Sequence, residues 1–387
     1  MNHRTRIGIV GTGLIGKGIA IEVVKQQDIE LAKVLTRRDL NSMGEYPFQD
    51  VLTNSADDFF EHIDVMVECT GDVIYGTEVI DRAIKATIPV ITMNAELQVT
   101  TGSYFAKRGF ITEAEGDQPG CLASLHENVT AMGFKPLVYG NIKGFLNTDP
   151  SMEDMKYWSN KNGVRLDMTT SFTDGTKVQV EQALVANGLG VGIAVDGLLA
   201  PSSDDINKAG AHLAEEAKKA GYPICEFVVA PKAPPGVFIT AEHDVRQKDA
   251  LRYFKMGEGP YYTILQNFHL CHLEVMKTIR RVINEEKILL NNSVNPTVSV
   301  AAIAKRALKI GEKIDKGIGS FQVRGEAVDI KANPHHVPIG LLVNAVLKKG
   351  IAEGEMITFD DVELPESLAL QAWIETIEAV NKVSVGN

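Results

Sequence analysis

The chain has little of what would place it outside the ordinary globular class. Its four cysteines, Cys69, Cys121, Cys225 and Cys271, lie far apart and form no C-x-x-C pair. That spacing suggests neither a disulfide scaffold nor a zinc ribbon, and reduced thiols in a cytoplasmic protein are the simplest reading. No apolar run reaches the ~18–20 residues that a membrane helix requires. No run of Lys and Arg offsets the formal net charge of −11, which argues against a nucleic-acid partner but leaves room for a local basic pocket. The basic start "MNHRTR" leads into "IGIVGTGLIGKGIA", which Lys17 interrupts. It reads as strand, loop and helix rather than as a secretory signal.

The strand "RIGIV" (Arg6 to Val10) runs into "GTGLIG" and then a helix. The loop residues Gly11, Thr12, Gly13, Leu14, Ile15 and Gly16 thus carry G-x-G-x-x-G in the strand-turn-helix setting that a dinucleotide pyrophosphate needs. Glycines let the backbone approach the phosphates, and the N–H groups of the helix start hold them. The next strand, "IELAKVLT", ends at Arg37 and Arg38, with no acid directly at its tip. Two arginines there favour the 2′-phosphate of NADP, with NAD as the alternative because Asp39 is close. Further strands, "IDVMVECTG" and "IPVITMN", alternate with a helical stretch and predict a doubly wound parallel sheet of α/β class. Their ends put Cys69, Thr70, Gly71 and Asn94 beside the nicotinamide.

After about residue 125 the alternation weakens. We expect a dinucleotide domain over 1–125, an α+β substrate and dimerisation domain over 126–295, a small β module over 296–365 and a terminal helix over 366–387. The β module is expected from an internal echo between "AAIAKRALKIGEKID" and "NAVLKKGIAEGEMITFDD". It should be a separable unit.

"IGIVGTGLIG" with "DVMVECTG" and Asn94-Ala95-Glu96 resembles the nucleotide domain of homoserine dehydrogenases. Together with "GDQP", "SFTDGTK", "MGEGPYY", "HLCHLEV" and the terminal echo, nearly the whole chain resembles homoserine dehydrogenase-like oxidoreductases that carry a C-terminal SAF (β-clip) domain. That group includes the 1-deoxy-D-xylulose 5-phosphate reductoisomerase-like enzymes. The resemblance implies a Rossmann-type fold and an NAD(P) cofactor. One departure matters: homoserine dehydrogenases have a lysine after the asparagine of T-x-N-K, where this chain has Ala95.

Ketone reduction places negative charge on oxygen, so a cationic or acidic donor must lie close to it. "MTTSF" alternates like the end of a strand, and Asp174 would cap the helix "KVQVEQALVANGLG". Lys177 would then be its third residue, an unfavourable place for a cation, and dipole and burial should lower its pKa. Its loss should spare the fold. By analogy with a helix lysine of homoserine dehydrogenases, Lys177 is the first candidate for catalysis, oriented by Asp174. Lys143, read as a loop residue in "GNIKGF", would suit a substrate phosphate or carboxylate. Glu96 and Asp117 could bind substrate hydroxyls or a divalent ion, although a capped turn would also explain Asp117. His269, His272 and Glu274 lack a further ligand and read as a packed pair rather than a metal site, and the role of Tyr261 and Tyr262 stays open.

The expected function is an NADP-dependent oxidoreductase for a small hydroxy or keto compound such as a sugar phosphate or sugar acid. A reductoisomerase variant would use a divalent ion. The alternatives are homoserine dehydrogenase itself and a non-catalytic protein that binds a dinucleotide and a sugar acid. Partners would be the small-molecule substrate and further copies of the chain, in a homo-oligomer.

Overall fold

The computed structural model describes residues 4–385. Six parallel strands, β1 (Thr5–Val10), β2 (Ile29–Leu35), β3 (Leu52–Thr53), β4 (Val65–Glu68), β5 (Val90–Thr92) and β6 (Ile111–Glu113), form one sheet in the order β3-β2-β1-β4-β5-β6. This is the doubly wound Rossmann arrangement, and its strands read as continuous apolar runs because helices cover both faces. One of those helices comes from far along the chain. Cys271–Ile283 buries Val275, Met276, Ile279 and Val282 against Ile19 and Val23 of the first helix, Leu14–Val23. The first sheet is therefore completed by a segment that the sequence assigns to the second domain. Amphipathic spacing gave that helix an apolar face, but spacing does not say which sheet the face meets.

A mixed sheet follows, made of β7 (Lys135–Lys143), β8 (Ile224–Val229), β9 (Gly236–Glu242) and β10 (Tyr261–Gln266) in the order β10-β9-β7-β8. Beneath it run the helices Gln118–Ala131 and Thr176–Leu189. The C-terminal β module pairs β11 (Val298–Ala304) with β13 (Val323–Asp329), and a second sheet runs in the order β12 (Lys313–Lys316), β14 (Val343–Leu347), β15 (Val362–Glu363). Its core is not its own. Val300, Val323, Ala327 and Ile339 belong to one apolar cluster with Val178, Val180 and Leu184 of the helix Thr176–Leu189 and with Cys121 and Leu125. A terminal helix runs over Leu368–Val385.

Two local expectations are overturned. The segment read as a strand before Asp174 is the helix Leu166–Thr173. The hydroxyls of Thr169, Thr170 and Thr173 each donate to the carbonyl four residues back, so these β-branched residues are satisfied within a helix. Lys143 is the last residue of β7 rather than part of a loop.

Candidate active site

Strand ends on the C-terminal side of a doubly wound sheet face the ligand crevice, and here they deliver acids. Glu96 stands in the short helical turn after β5, Glu113 ends β6, and Asp117 sits just before the helix Gln118–Ala131. The helix Thr176–Leu189 approaches from the other side with Lys177 and Glu181, four residues apart on one face. Lys177 Nζ donates to Glu96 Oε2 at 3.3 Å and lies 3.6 Å from Asp117 Oδ2 and 3.8 Å from Glu181 Oε1. Its side chain is 12% exposed.

These distances set the protonation states. Burial pulls the Lys177 ammonium down, but Asp117, Glu96, Glu181 and Glu113 together outweigh it and hold the group well above its usual range. Lys177 is thus held as an ammonium before reaction. The expected lowered pKa is corrected, because a cage of four carboxylates dominates both burial and the helix dipole. Burial pushes Glu181 up to about 8, with Lys177 opposing the shift. Burial and the neighbouring Asp117 hold Glu113 well above the carboxylate range. At neutral pH Glu181 is then largely a neutral acid beside a charged lysine. Lys143 is pulled down by burial against the attraction of Glu181 and Asp174, and its Nζ has no hydrogen-bond or ion-pair partner among the described residues.

Asp174 makes no hydrogen bond or ion pair with Lys177. Its Oδ2 accepts from Lys305 Nζ at 2.7 Å in a pair with both side chains fully buried. The helix cap is Gly175 at φ +89°, so Lys177 is the second helical residue and Asp174 ends the preceding helix. Asp117 makes no side-chain capping bond either, and its Oδ2 is buried without a hydrogen-bond partner, as is Glu113 Oε1. The capped-turn explanation of Asp117 therefore falls. Asn141 Nδ2 donates to Glu181 Oε2 at 2.8 Å, fixing the acid from strand β7.

The structure thus brings Lys177, Glu96, Asp117 and Lys143 together and removes Asp174 from direct contact. Glu181, Glu113, Asn141 and Lys305 were missed. The i, i+4 spacing from Lys177 could have revealed Glu181, and the strand-end position could have revealed Glu113. Nothing local marks Lys305, 131 residues from its partner.

The glycine loop fits a dinucleotide. Gly11 has φ +118°, and a Cβ on Gly16 would lie 2.2 Å from Gly11 O, so the turn admits no side chain at either position. Beyond Gly13 there is open space, and no side chain caps the start of the helix Leu14–Val23. Pyrophosphate oxygens would meet the backbone N–H groups of Gly13, Leu14, Ile15 and Gly16 there. Thr12 Oγ1 lies 3.2 Å from Thr36 Oγ1 and ties the loop to the end of β2. Arg37 pairs with Asp72 at 2.7 Å and stacks over Tyr75, while Arg38 is exposed and its side chain has no partner among the described residues. Asn94 is buried at the end of β5, where its Oδ1 accepts from Leu97 N at 3.1 Å and its Nδ2 donates to Glu68 Oε1 at 3.4 Å. Cys69 lies under Gly11 and Gly16, and Thr70 is held by Glu68. Gly71 turns at φ +62°. His272 packs on Gly18 of the first helix, and Glu274 Oε2 accepts from Leu270 N at 2.7 Å.

Comparison with known proteins gives two family matches. Residues 11–106 match the family model "Homoserine dehydrogenase, NAD binding domain", and residues 116–275 match "Oxidoreductase DRL, catalytic domain". The chain is 39% identical over 67 residues to meso-diaminopimelate D-dehydrogenase of Lysinibacillus sphaericus, covering 17% of this chain and 21% of that protein. It is 39% identical over 73 residues to the enzyme of the same name from Acetivibrio thermocellus, covering 18% and 21%. The matched part spans about a fifth of the length of these curated relatives. Among solved structures, scyllo-inositol dehydrogenase from Lactobacillus casei with bound NAD(H) and scyllo-inositol is similar at a TM-score of 0.42 and 11% identity, over 75% of this chain and 92% of that one. A myo-inositol dehydrogenase from Sinorhizobium meliloti is similar at 0.40 and 13%, over 73% and 91%. With an NAD-binding module followed by an oxidoreductase catalytic module, the chain has the make-up of an NAD(P)-dependent oxidoreductase.

Proposed function

We propose that the protein transfers hydride between NADP(H) and a small, polyhydroxylated hydroxy or keto compound at the Lys177 cage. The observation that carries the reading is the Lys177 ammonium within 4 Å of three carboxyl groups, beside the ends of β5 and β6. The dinucleotide supplies or accepts the hydride when bound. As a carbonyl is reduced, its oxygen gains the electron pair of the C–O π bond, and Lys177 donates a hydrogen bond and then a proton to it. Glu181, an acid with a pKa of about 8, returns a proton to the lysine amine.

Asp117 Oδ2 and Glu113 Oε1, buried without a hydrogen-bond donor, support vicinal hydroxyl groups as the substrate's recognition handle, because buried acceptors need donors. The unpaired Lys143 supports one anionic group, carboxylate or phosphate, at the other end. Exposed Arg38 supports NADP over NAD. The paired sheets of residues 296–365 support an SAF-type module. Exposed Leu265, Phe268, Leu270 and Leu273, on and after the edge strand β10, support a homo-oligomer.

The test is a panel of aldonates, ketose phosphates, free polyols and homoserine, read by nicotinamide absorbance with either cofactor. A substrate should emerge whose turnover falls by about 10²–10⁴ in Lys177→Met. Turnover unchanged by that substitution refutes the role of Lys177, and a silent panel with tight dinucleotide binding favours a non-catalytic binding protein.

A further inference from the structure

The helix that bears Lys177 and Glu181 is held along its length by the C-terminal β module. Gly325 N of β13 donates to Thr176 Oγ1 at 2.9 Å, and Ala327 N of the same strand donates to Gln179 Oε1 at 2.8 Å. Further along, Val298 N donates to Asn187 Oδ1 at 2.9 Å, and Asn187 Nδ2 donates to Val298 O at 2.8 Å. At ~100° per residue, Thr176, Gln179 and Asn187 share one face of the helix, with Lys177 and Glu181 roughly a third of a turn away. One face is therefore bound to the module while the other carries the chemistry.

The start of the helix receives the strongest of these contacts. Lys305, the residue after β11, reaches into the core with a side chain 1% exposed and donates to Asp174 Oδ2 at 2.7 Å and to Ser320 O at 2.6 Å. The other oxygen, Asp174 Oδ1, accepts from Thr176 N at 2.9 Å. One carboxylate thus joins the module's lysine to the first residue of the helix, two positions from Asp174 and one from Lys177. Gly175 between them is left-handed, and a Cβ there would lie 2.9 Å from Leu146 Cδ1.

We propose that the β module is a positioning element of the active site and that Lys305 is its positioning residue. By neutralising Asp174 inside the core, Lys305 fixes the turn from which the helix starts, and so sets where Lys177 and Glu181 stand in the carboxylate cage. The proposal rests on the reading of Lys177 as the group that meets the substrate. It touches neither the dinucleotide loop nor the substrate itself.

The experiment uses the full chain and three variants, Lys305→Met, Lys305→Arg and the double variant Lys305→Met with Asp174→Asn, which leaves no unpaired charge and guards against simple misfolding. Amide hydrogen exchange of the segment 169–185, NADPH binding by nicotinamide fluorescence, and kcat with KM on the substrate found by the panel are measured on each. Lys305→Met and the double variant should exchange faster at the first helical turn and lose about 10²-fold in kcat, the scale of a catalytic group misplaced by ~1 Å, with the NADPH Kd changed less than ~2-fold. Lys305→Arg should restore part of the kcat. If Lys305→Met does not fold, the double variant decides the question. A folded double variant with the parent's kcat and the parent's exchange at 169–185 overturns the proposal. Parental turnover in Lys177→Met would instead overturn the site reading, and the exchange data would still report whether Lys305 anchors the turn.

Discussion

Replacing Lys177 by Met tests the cage through stability as well as turnover. Methionine keeps most of the side-chain volume, so the main change is the loss of one buried charge. Glu96 and Asp117 face that charge at 3.3 and 3.6 Å. At an effective dielectric of ~20, each such pair is worth roughly 5 kcal/mol before desolvation is counted. Much of this is offset by the cost of burying the ammonium, and breaking a buried pair typically costs about 3–5 kcal/mol. Glu113 and Glu181, which burial already raises, lose the opposing pull of Lys177 in the variant. Their folded pKa values then rise further above the unfolded ones, so the native state binds more protons than the unfolded state and stability falls as pH rises. We expect Lys177→Met to be less stable than the parent by about 3 kcal/mol near pH 8 and by about 1 kcal/mol or less near pH 5. Urea unfolding followed by far-UV circular dichroism at the two pH values measures both differences. A loss that is the same at both, or a small gain of the kind the helix dipole alone would give, refutes the cage as the source of the lysine's charge state.

Other consequences follow from the same contacts. Glu181, held at about 8, must be protonated to supply the reduction, so the reductive rate should fall as pH rises through about 8, and Glu181→Gln should flatten that limb while lowering the maximum. Arg38→Ala should weaken NADPH binding and leave NADH binding nearly unchanged, whereas Arg37→Ala, which also breaks the pair with Asp72, should weaken both; equal effects of Arg38→Ala on the two cofactors would count against a 2′-phosphate site. Glu226 is fully buried, accepts from Leu199 N at 2.8 Å and is pushed up to about 7 by burial. Since that folded pKa is raised, its contribution to stability is present at low pH and lost as pH climbs through about 7. Glu226→Gln should therefore gain about 1–2 kcal/mol on the parent near pH 9 and nothing near pH 5, as read by urea midpoints. Burial pushes the thiols of Cys69, Cys121, Cys225 and Cys271 up, so iodoacetamide near neutral pH should leave the native protein largely unlabelled.

The glycine loop and the alternation of apolar strands with helices were legible because each depends on neighbours in the chain. A tight turn needs Gly11 and Gly16 where they stand, and parallel strands buried on both faces need unbroken apolar runs. Lys177, Glu96, Asp117 and Lys143 were legible as polar residues in the right kinds of place. Their charge states were not. The lysine's pKa follows from four carboxyl groups on three separate segments, and its sign reversed once Asp117 and Glu96 came within 4 Å.

Asp174 shows the other limit. Its local role beside Thr176 was visible in outline, but its partner Lys305 comes from the far end of the chain. The sequence by itself determined the dinucleotide fold, the candidate lysine and two of the four acids around it, Glu96 and Asp117, since periodicity, turn chemistry and strand-end positions are local properties. Only the tertiary structure decided which acid meets which cation, that Asn94 is buried as a cap, and that the terminal β module shares a core with the helix of Lys177. Burial and Coulomb forces act through space, so residues more than a hundred positions apart set the chemistry that neighbouring residues cannot.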